Sequence, residues 1–490
     1  MSDLLVETEL KFQVPPTARA RISRALATAT SQVTRLQAVY ADSADDRLAR
    51  AGLALRLRKE GRVWVQTLKG RGDGLMRRLE HEVRLPAQRG IPVLERQRHA
   101  GTAAGIALAE ALGDAELMPL YSTDIRRTHR RVRCAGALVE IALDEGRIIA
   151  GARDQQVCEI EFELLEGTPS ALLALAARWA QRHGLWLDLR SKSERGHRLA
   201  RGLDGAAATR AGAIRLPDHP TTGNAFFGMV ESSLAHGLRN LAELAGAAGG
   251  PEHLHQLRVA LRRLRTALRL FGDWSADVDR AAALEQQLRA WFVRLGEGRD
   301  DDVLAQTLAP VLAAPRAPAL ALPRLQPAED LSVMLRDAGF TVLLLHAWEL
   351  ACRSAGLPAG ERPLADAARE RLEAARRAAL KNHRSFTKLP PPQQHRMRKR
   401  LKRLRYGAEF LAALFSNRSA RRALDALRSA LEALGTWNDY QVAEQRLRAL
   451  IADDPKAWFV LGWVAAGRGD RLRRCEKALR RFKAAPRLAN

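Results

Sequence analysis

The phrase HQLRVALRRLRTALRLF, from His255 to Phe271, returns as HRMRKRLKRLRYGAEFL from His395 to Leu411. In the first copy Leu257, Leu261, Leu264 and Leu268 fall at helical spacing; in the second, Met397, Leu401, Leu404 and Ala408 do. A period of 3.6 residues gathers each set into one apolar stripe. One step round the helix from it run His255, Arg258, Arg262 and Arg265 in the first copy and His395, Arg398, Lys402 and Arg405 in the second. The basic row thus borders the core stripe, while Arg263 and Arg403, one position on, point further from it. LGEGRDDDVL at 295–304 and LGTWNDYQVA at 434–443 follow their histidines at nearly equal distances, so a whole helical unit is duplicated. Asp300 and Asp439 in those phrases read as carboxylates that orient arginines. A duplicated unit that sets one basic row against another forms a groove for an extended polyanion.

The balance of charge agrees. The net charge is +25, and most of it falls after residue 200. Nucleic acid is a weak candidate for the partner, because few tyrosines or phenylalanines stand among the basic residues to stack on bases. With 490 residues, 47% of them hydrophobic, the chain can bury more than one core. The first residues, MSDLLVETELKF, are acidic where a signal peptide would be basic, and no apolar run approaches the roughly 18 residues of a membrane span. The expectation is a cytoplasmic protein with no membrane partner. Cys134, Cys158, Cys352 and Cys475 lie far apart, with no zinc-knuckle spacing.

Before residue 200 the pattern is different. In ETELK, Glu7, Glu9 and Lys11 are spaced by two, so on a β-strand they share a face while Leu10 and Phe12 take the other. The alternation recurs. ALRLRKE sets Arg56 and Arg58 against Leu55 and Leu57; RRLEHEVRL aligns Arg78, Glu80, Glu82 and Arg84; CEIEFELL aligns Glu159, Glu161 and Glu163 against Ile160 and Phe162. If the apolar sides pack under helices such as 170–183, the charged sides line a shared concavity, and a closed antiparallel barrel with a charged lumen is the economical fold. Clustered buried charges need a filling. A polyphosphate with divalent cations satisfies both signs, because Arg and Lys match phosphate oxygens and carboxylates hold Mg²⁺ or Mn²⁺.

ETELK resembles the ExExK signature of the CYTH domain, the triphosphate tunnel metalloenzymes, and the resemblance continues through ALRLRKE, VWVQTLKG, RRLEHEVRL, STDIRRTHRR, VEIALDEG, EIEFEL and SKSERG. It implies an eight-stranded antiparallel tunnel with flanking helices and an activity on triphosphates: inorganic triphosphatase, thiamine triphosphatase or adenylate cyclase. By matching position it implies that Glu7, Glu9, Glu159 and Glu161 bind metal, and that Lys11, Arg56, Arg58, Lys69, Arg78 and Arg127 hold phosphates. Glu80, Glu82, Asp144 and Glu163 support them. For the group that activates water, a water held on the metal and an amine base at Lys11 both remain open. Arg126, Arg130 and Arg131 crowd Arg127, and Lys192 in SKS also matches the family's tail, although a lysine before a terminal helix reads as an ordinary surface charge.

The paired arginine phrases, each followed by LGxxxD, resemble the CHAD domain. That resemblance implies two four-helix bundles related by a pseudo-twofold axis, and a basic surface that binds inorganic polyphosphate through His255, Arg258, Arg262, Arg265, His395, Arg398, Lys402 and Arg405. The expected organisation is a tunnel domain over 1–203, a linker over 204–219, and a helical domain over 220–490 with halves at about 220–310 and 328–490. The expected function is metal-dependent hydrolysis of tripolyphosphate, tethered to a domain that binds long-chain polyphosphate and carries the protein to polyphosphate granules. The alternatives are a catalytically silent polyphosphate scaffold and an enzyme acting on an organic triphosphate such as thiamine triphosphate or ATP.

Overall fold

The computed structural model describes residues 5–488 apart from 73, 87, 89, 297–298, 316, 323–329, 359, 361 and 416. The chain divides into two compact units, one holding residues up to Arg210 with Leu234–Ala260 and Leu331–Arg353, the other Ala211–Ser233, Leu261–Asp330 and Ser354–Asn490.

The first unit is built on strands β1 (Leu5–Gln13), β2 (Gln32–Asp42), β3 (Ala54–Glu60), β4 (Val63–Arg71), β5 (Arg77–Arg84), β6 (Met118–Cys134), β7 (Ala137–Ala150) and β8 (Arg153–Glu166). The order β5-β4-β3-β2-β6-β7-β8-β1 closes on itself, because the first half of β1 pairs with β5 and its second half with β8. All of these pairings are antiparallel. An eight-stranded barrel results, with the short β9 (Trp186–Leu187) added beside β1.

Alternation decides what faces out. Leu10, Phe12, Ile160 and Phe162 are fully buried on the outer side, where helix α4 (Pro169–His183) covers them and Trp179 meets the Phe162 ring edge-on at 5.8 Å. Thr168 caps that helix and Pro169 occupies its first turn, while Gly184 ends it at φ +69°, a left-handed conformation natural to glycine. On another side Leu55 and Leu68 pack under helices α2 (Arg47–Ala51) and α3 (Ala103–Leu112). Helix α1 (Arg19–Leu26) buries Ile22 and Leu26.

The strand pattern predicted a charged lumen, but part of the lumen is apolar. Tyr40 lies opposite Arg56 in register, Tyr121 opposite Tyr40, and Ile125 opposite Leu36, so these side chains share the inner face. With Ala38, Ile148 and Val157 they form an apolar cluster inside the barrel, against which Leu199 and Ala200 pack. Those two residues belong to helix α5 (Lys192–Arg201), capped by Ser191 and ended by Gly202. A helix that turns an apolar edge into the barrel converts half of the lumen into core, which no single strand's alternation could announce.

The same unit includes parts of three further helices, α6 (Thr222–Ala245), α7 (Pro251–Leu270) and α8 (Ala338–Ala355), which run on into the other unit. Within it, Glu243 accepts from Arg198 of α5 at 2.6 Å and lies 3.6 Å from Arg190, and Arg336 donates to the carbonyl of Ala245. Residues 331–355 form a stretch long and apolar enough to cross a membrane, of mean hydropathy 1.2, where the sequence reading found none. Half of it is buried, Phe340, Leu345 and Trp348 completely, as befits a helix packed on several sides.

The second unit holds helix α7 from Leu261 onward and the helix Pro391–Phe410. The two phrases lie on α7 and on a second helix, Pro391–Phe410, each of 20 residues and each with proline in its first turn. Leu257, Leu261, Leu264 and Leu268 are at most 2% exposed, and Met397, Leu401, Leu404 and Ala408 at most 5%. The apolar stripes are core, as their spacing demands.

Candidate functional site

The charged inner face of the barrel brings seven strands together. Lys11 of β1 stands between the carboxylates of β8, its Nζ 2.9 Å from Glu161 and 3.6 Å from Glu159. Arg127 of β6 forks onto Asp144 of β7 with two 2.7 Å hydrogen bonds and reaches Glu161 at 2.5 Å. On the opposite wall Lys69 donates to Glu7 at 2.9 Å and lies 3.0 Å from Glu80. Arg56 lies 3.7 Å from Glu80, Arg58 reaches Glu82 at 3.2 Å and also pairs with Glu60, and Arg78 lies 3.6 Å from Glu9. Lys11, Arg56, Arg58, Lys69, Arg78 and Arg127 thus each lie against a carboxylate.

The carboxylates sort into two groups. Asp144, Glu159 and Glu161, all buried, bring ligand oxygens within 4.8 Å of one another. Three hard oxygen donors at that separation suit Mg²⁺ or Mn²⁺. Glu7 and Glu9, expected with Glu159 and Glu161, lie instead against Lys69 and Arg78. Asp144, a supporting residue in the sequence reading, completes the trio.

Lys192 is the clearest correction. It is the first residue of α5 and 9% exposed, with its Nζ 2.5 Å from Asp144, 2.5 Å from Glu159 and 3.0 Å from Glu161. A lysine at a helix start is ordinarily solvated, but this helix begins inside the barrel. Arg195, one turn further on the same face, reaches Glu159 at 2.7 Å and went unnoticed in the sequence, although the i, i+3 spacing from Lys192 was there to read. Tyr40 was also missed; its hydroxyl accepts from Arg56 at 3.3 Å. Among the crowded arginines Arg127 enters the charged lumen, whereas Arg126 turns out to Glu145.

These partners shift the protonation equilibria. Burial works against the charge of Glu161, but Lys11, Lys192 and Arg127 outweigh it and hold its carboxyl well below the ordinary range. Burial likewise opposes the Lys192 ammonium, and Asp144, Glu159 and Glu161 together reverse the effect and raise it. Glu7 goes the other way, lifted by burial and Glu80 against the pull of Lys69. Glu163 is pushed up to about 7 by burial and by Glu7 and Glu140.

In the second unit the two repeats supply one basic cluster. Burial, followed by Arg398, Arg262 and Arg405, pushes the Lys402 ammonium down to about 6, and Asp439 offsets this only in part. Lys399 is lowered by burial and then by Arg289 and Arg265. Arg265 donates to Glu285 at 2.7 Å, and Arg262 and Arg265 both lie over the Phe292 ring. His395 pairs through Nδ1 with Asn438 Oδ1 at 2.8 Å, which fixes its ring. His255 and Arg258 lie at the other end of α7, within the first unit, Arg258 buried. Arg263, expected to point outward, is 4% exposed, stacked 4.5 Å from the Phe410 ring and 3.7 Å from Glu409. The single-stripe reading missed it because α7 is covered on a second face, where Ala260, Thr266 and Ala267 are also buried. Asp300 lies outside the residues whose side chains are described.

Two family models match the chain, one towards each end. The model described as the CYTH domain matches residues 5–196, and that described as the CHAD domain matches 228–448. An inorganic triphosphatase of Haemophilus influenzae is 31% identical over 203 residues, which are 40% of this chain and 55% of that protein; the match thus spans about half of the relative's length. Among solved structures, a CHAD domain from the plant Ricinus communis is 29% identical, covering 56% of this chain and 97% of its own, with a TM-score of 0.45. A Hippeastrum protein described as an adenylyl cyclase with a dominant triphosphatase activity is 20% identical, covering 40% of this chain and 96% of its own, with a TM-score of 0.30. This chain thus carries a CYTH domain over residues 5–196 and a CHAD domain over residues 228–448.

Proposed function

We propose that the barrel hydrolyses inorganic tripolyphosphate to pyrophosphate and phosphate with a divalent metal, and that the helical region binds long-chain polyphosphate. The observation that carries the first half is the internal pairing of the lumen. Eight cationic side chains, Lys192 and Arg195 among them, and their carboxylates neutralise one another in a partly dry space, where unpaired charge is costly. A triphosphate entering with Mg²⁺ or Mn²⁺ exchanges these pairs without leaving a charge exposed. Its oxygens take Lys11, Arg56, Arg58, Lys69, Arg78 and Arg127, while Asp144, Glu159 and Glu161 hold the metal, with Glu7 and Glu9 as further carboxylate ligands.

The metal, when bound, neutralises phosphate charge and activates water. The chain's own contribution is position. The arginines fix the phosphate oxygens in bidentate geometry and the cationic walls stabilise charge that spreads over those oxygens as the bond breaks. The apolar cluster around Tyr40 and Tyr121 closes part of the lumen to solvent and so strengthens these interactions.

Lys402 supports the second half. A lysine crowded by Arg262, Arg398 and Arg405 regains its proton favourably when an anion arrives, and a polyphosphate chain can answer this row together with Arg265 and His395. This activity carries the enzyme to polyphosphate granules. Phosphate release from tripolyphosphate, long-chain polyphosphate, ATP and thiamine triphosphate tests the assignment. Preference for tripolyphosphate supports it, and preference for ATP or thiamine triphosphate replaces it with an organic substrate.

A further inference from the structure

A second concentration of positive charge lies on the outside of the barrel. Helix α1 (RARISRAL) and helix α4 (PSALLALAARWAQRH) contain no Asp or Glu. Between them, Arg130, Arg178, Arg182, Trp179, His183 and Ala25 line a cleft of about 510 Å³. It continues into a cavity of about 360 Å³ bordered by Arg21 and Arg24, with Ala25, Arg182 and His183 shared by both. Volumes of this order accommodate small ligands.

Counter-charge is missing here. Neighbouring arginines of β6 are answered, Arg126 by Glu145, Arg131 by Glu140 and Arg133 by Glu166. Among the described residues none of Arg21, Arg24, Arg130, Arg178 and Arg182 has a carboxylate partner; Arg178 donates instead to Cys134 Sγ at 2.7 Å. Arg21 and Arg24, like Arg178 and Arg182, are like charges one helical turn apart, an arrangement that weakens a helix. Surface arginines often lie along a helix merely to cover apolar surface with their stems. That reading leaves the cleft floor unexplained. His183 is 4% exposed, lines both cavities, and its Nδ1 is buried with no hydrogen-bond partner; Arg130 Nε is buried and unpartnered too. Burial, then Arg182 and Arg21, lowers the pKa of this imidazole, which places both arginines within electrostatic reach of it. The partly exposed Trp179 ring stands 5.0 Å from the imidazole.

We propose that this cleft is an anion site, separate from the lumen, that takes a triphosphate group on Arg21, Arg24, Arg130, Arg178 and Arg182. The group comes either from free tripolyphosphate or from a nucleoside triphosphate whose base lies on Trp179.

The test is protection of arginines from phenylglyoxal in the full-length protein, read by peptide mass spectrometry with tripolyphosphate, ATP or sulfate present. Tripolyphosphate or ATP slows modification of Arg21, Arg24, Arg178 and Arg182 by about tenfold, and sulfate at the same concentration does not. In the exposed double variant Arg178→Gln, Arg182→Gln, the protection of Arg21 and Arg24 is lost. Trp179→Leu weakens protection by ATP alone if the nucleotide is the source, and leaves both ligands equal if free tripolyphosphate is. Arg78 reports on the lumen in the same spectra. If Arg78 is protected while Arg21 and Arg24 react equally with and without ligand, the outer site is refuted and the lumen reading stands. Equal protection by sulfate refutes it as well.

Discussion

The Nζ of Lys192 lies 2.5 Å from Oε1 of Glu159, so a helix that follows the barrel in sequence supplies a cation to the barrel's most buried carboxylates. The ammonium stands where Asp144, Glu159 and Glu161 converge, and does for the metal-free protein what a divalent ion would do. Lys192→Met leaves three carboxylates facing one another. Breaking a buried ion pair costs about 3–5 kcal/mol, so the variant melts well below the wild type in EDTA. Added Mg²⁺ or Mn²⁺ raises the variant's Tm more than that of the wild type. Equal melting curves in EDTA would show that Lys192 is not needed to neutralise the trio.

Helix α5 is held at Gly196. A Cβ there would come within 2.3 Å of the Tyr121 ring, whose hydroxyl donates to the carbonyl of Ser193 at 3.0 Å. Gly196→Ala therefore forces the helix off the apolar cluster, an overpacking that costs about 1–3 kcal/mol. Because Lys192 and Arg195 ride on the same helix, triphosphate hydrolysis falls with stability. Tyr121→Ala, which makes room, restores helix seating in the double variant; circular dichroism melts and phosphate release read the two effects together.

The basic cluster of the helical region predicts a pH dependence of definite sign. Lys402 titrates at about 6 when folded and at 10.5 in an ordinary setting. Between these values the unfolded chain binds more protons, so this residue's contribution to stability is fully present above 10.5 and is lost as pH falls toward 6. Lys402→Met removes that slope and raises stability by roughly 1 kcal/mol or more at the acid end, while weakening polyphosphate retention. Binding of polyphosphate takes up a proton, which calorimetry in buffers of different ionisation enthalpy detects. A variant with the wild-type slope would locate the effect elsewhere.

The two activities separate by mutation. Glu7→Ala abolishes turnover of tripolyphosphate and leaves polyphosphate retention unchanged. The pair Arg262→Ala, Lys402→Ala impairs retention and spares hydrolysis. Filter retention of long-chain polyphosphate and phosphate release, measured on both proteins, decide the matter; loss of both activities in either protein would mean that the regions act as one.

What could be read in the sequence follows from the range of the forces involved. The faces of Glu7, Glu9 and Lys11, or of Leu257 and Leu261, are set by local periodicity, and both the barrel and the helical stripes were legible from it. Lys192 was not, because its burial depends on where α5 packs against strands more than 30 residues earlier in the chain, and Arg263 was not, because a second helix covers its face. The half-apolar lumen required the register that sets Tyr121 opposite Tyr40. In each case the missing information was a long-range contact, not a propensity.

The central claim is that the lumen carboxylates hold a divalent metal for hydrolysis of a triphosphate. Its most direct test is phosphate release from tripolyphosphate by the purified protein with Mg²⁺, with Mn²⁺ and with EDTA, repeated on Glu159→Gln. The account predicts release that requires the metal, stops in EDTA and is lost in the variant. Release that persists in EDTA or in Glu159→Gln, or no release under any condition from a protein that still retains polyphosphate, would contradict it.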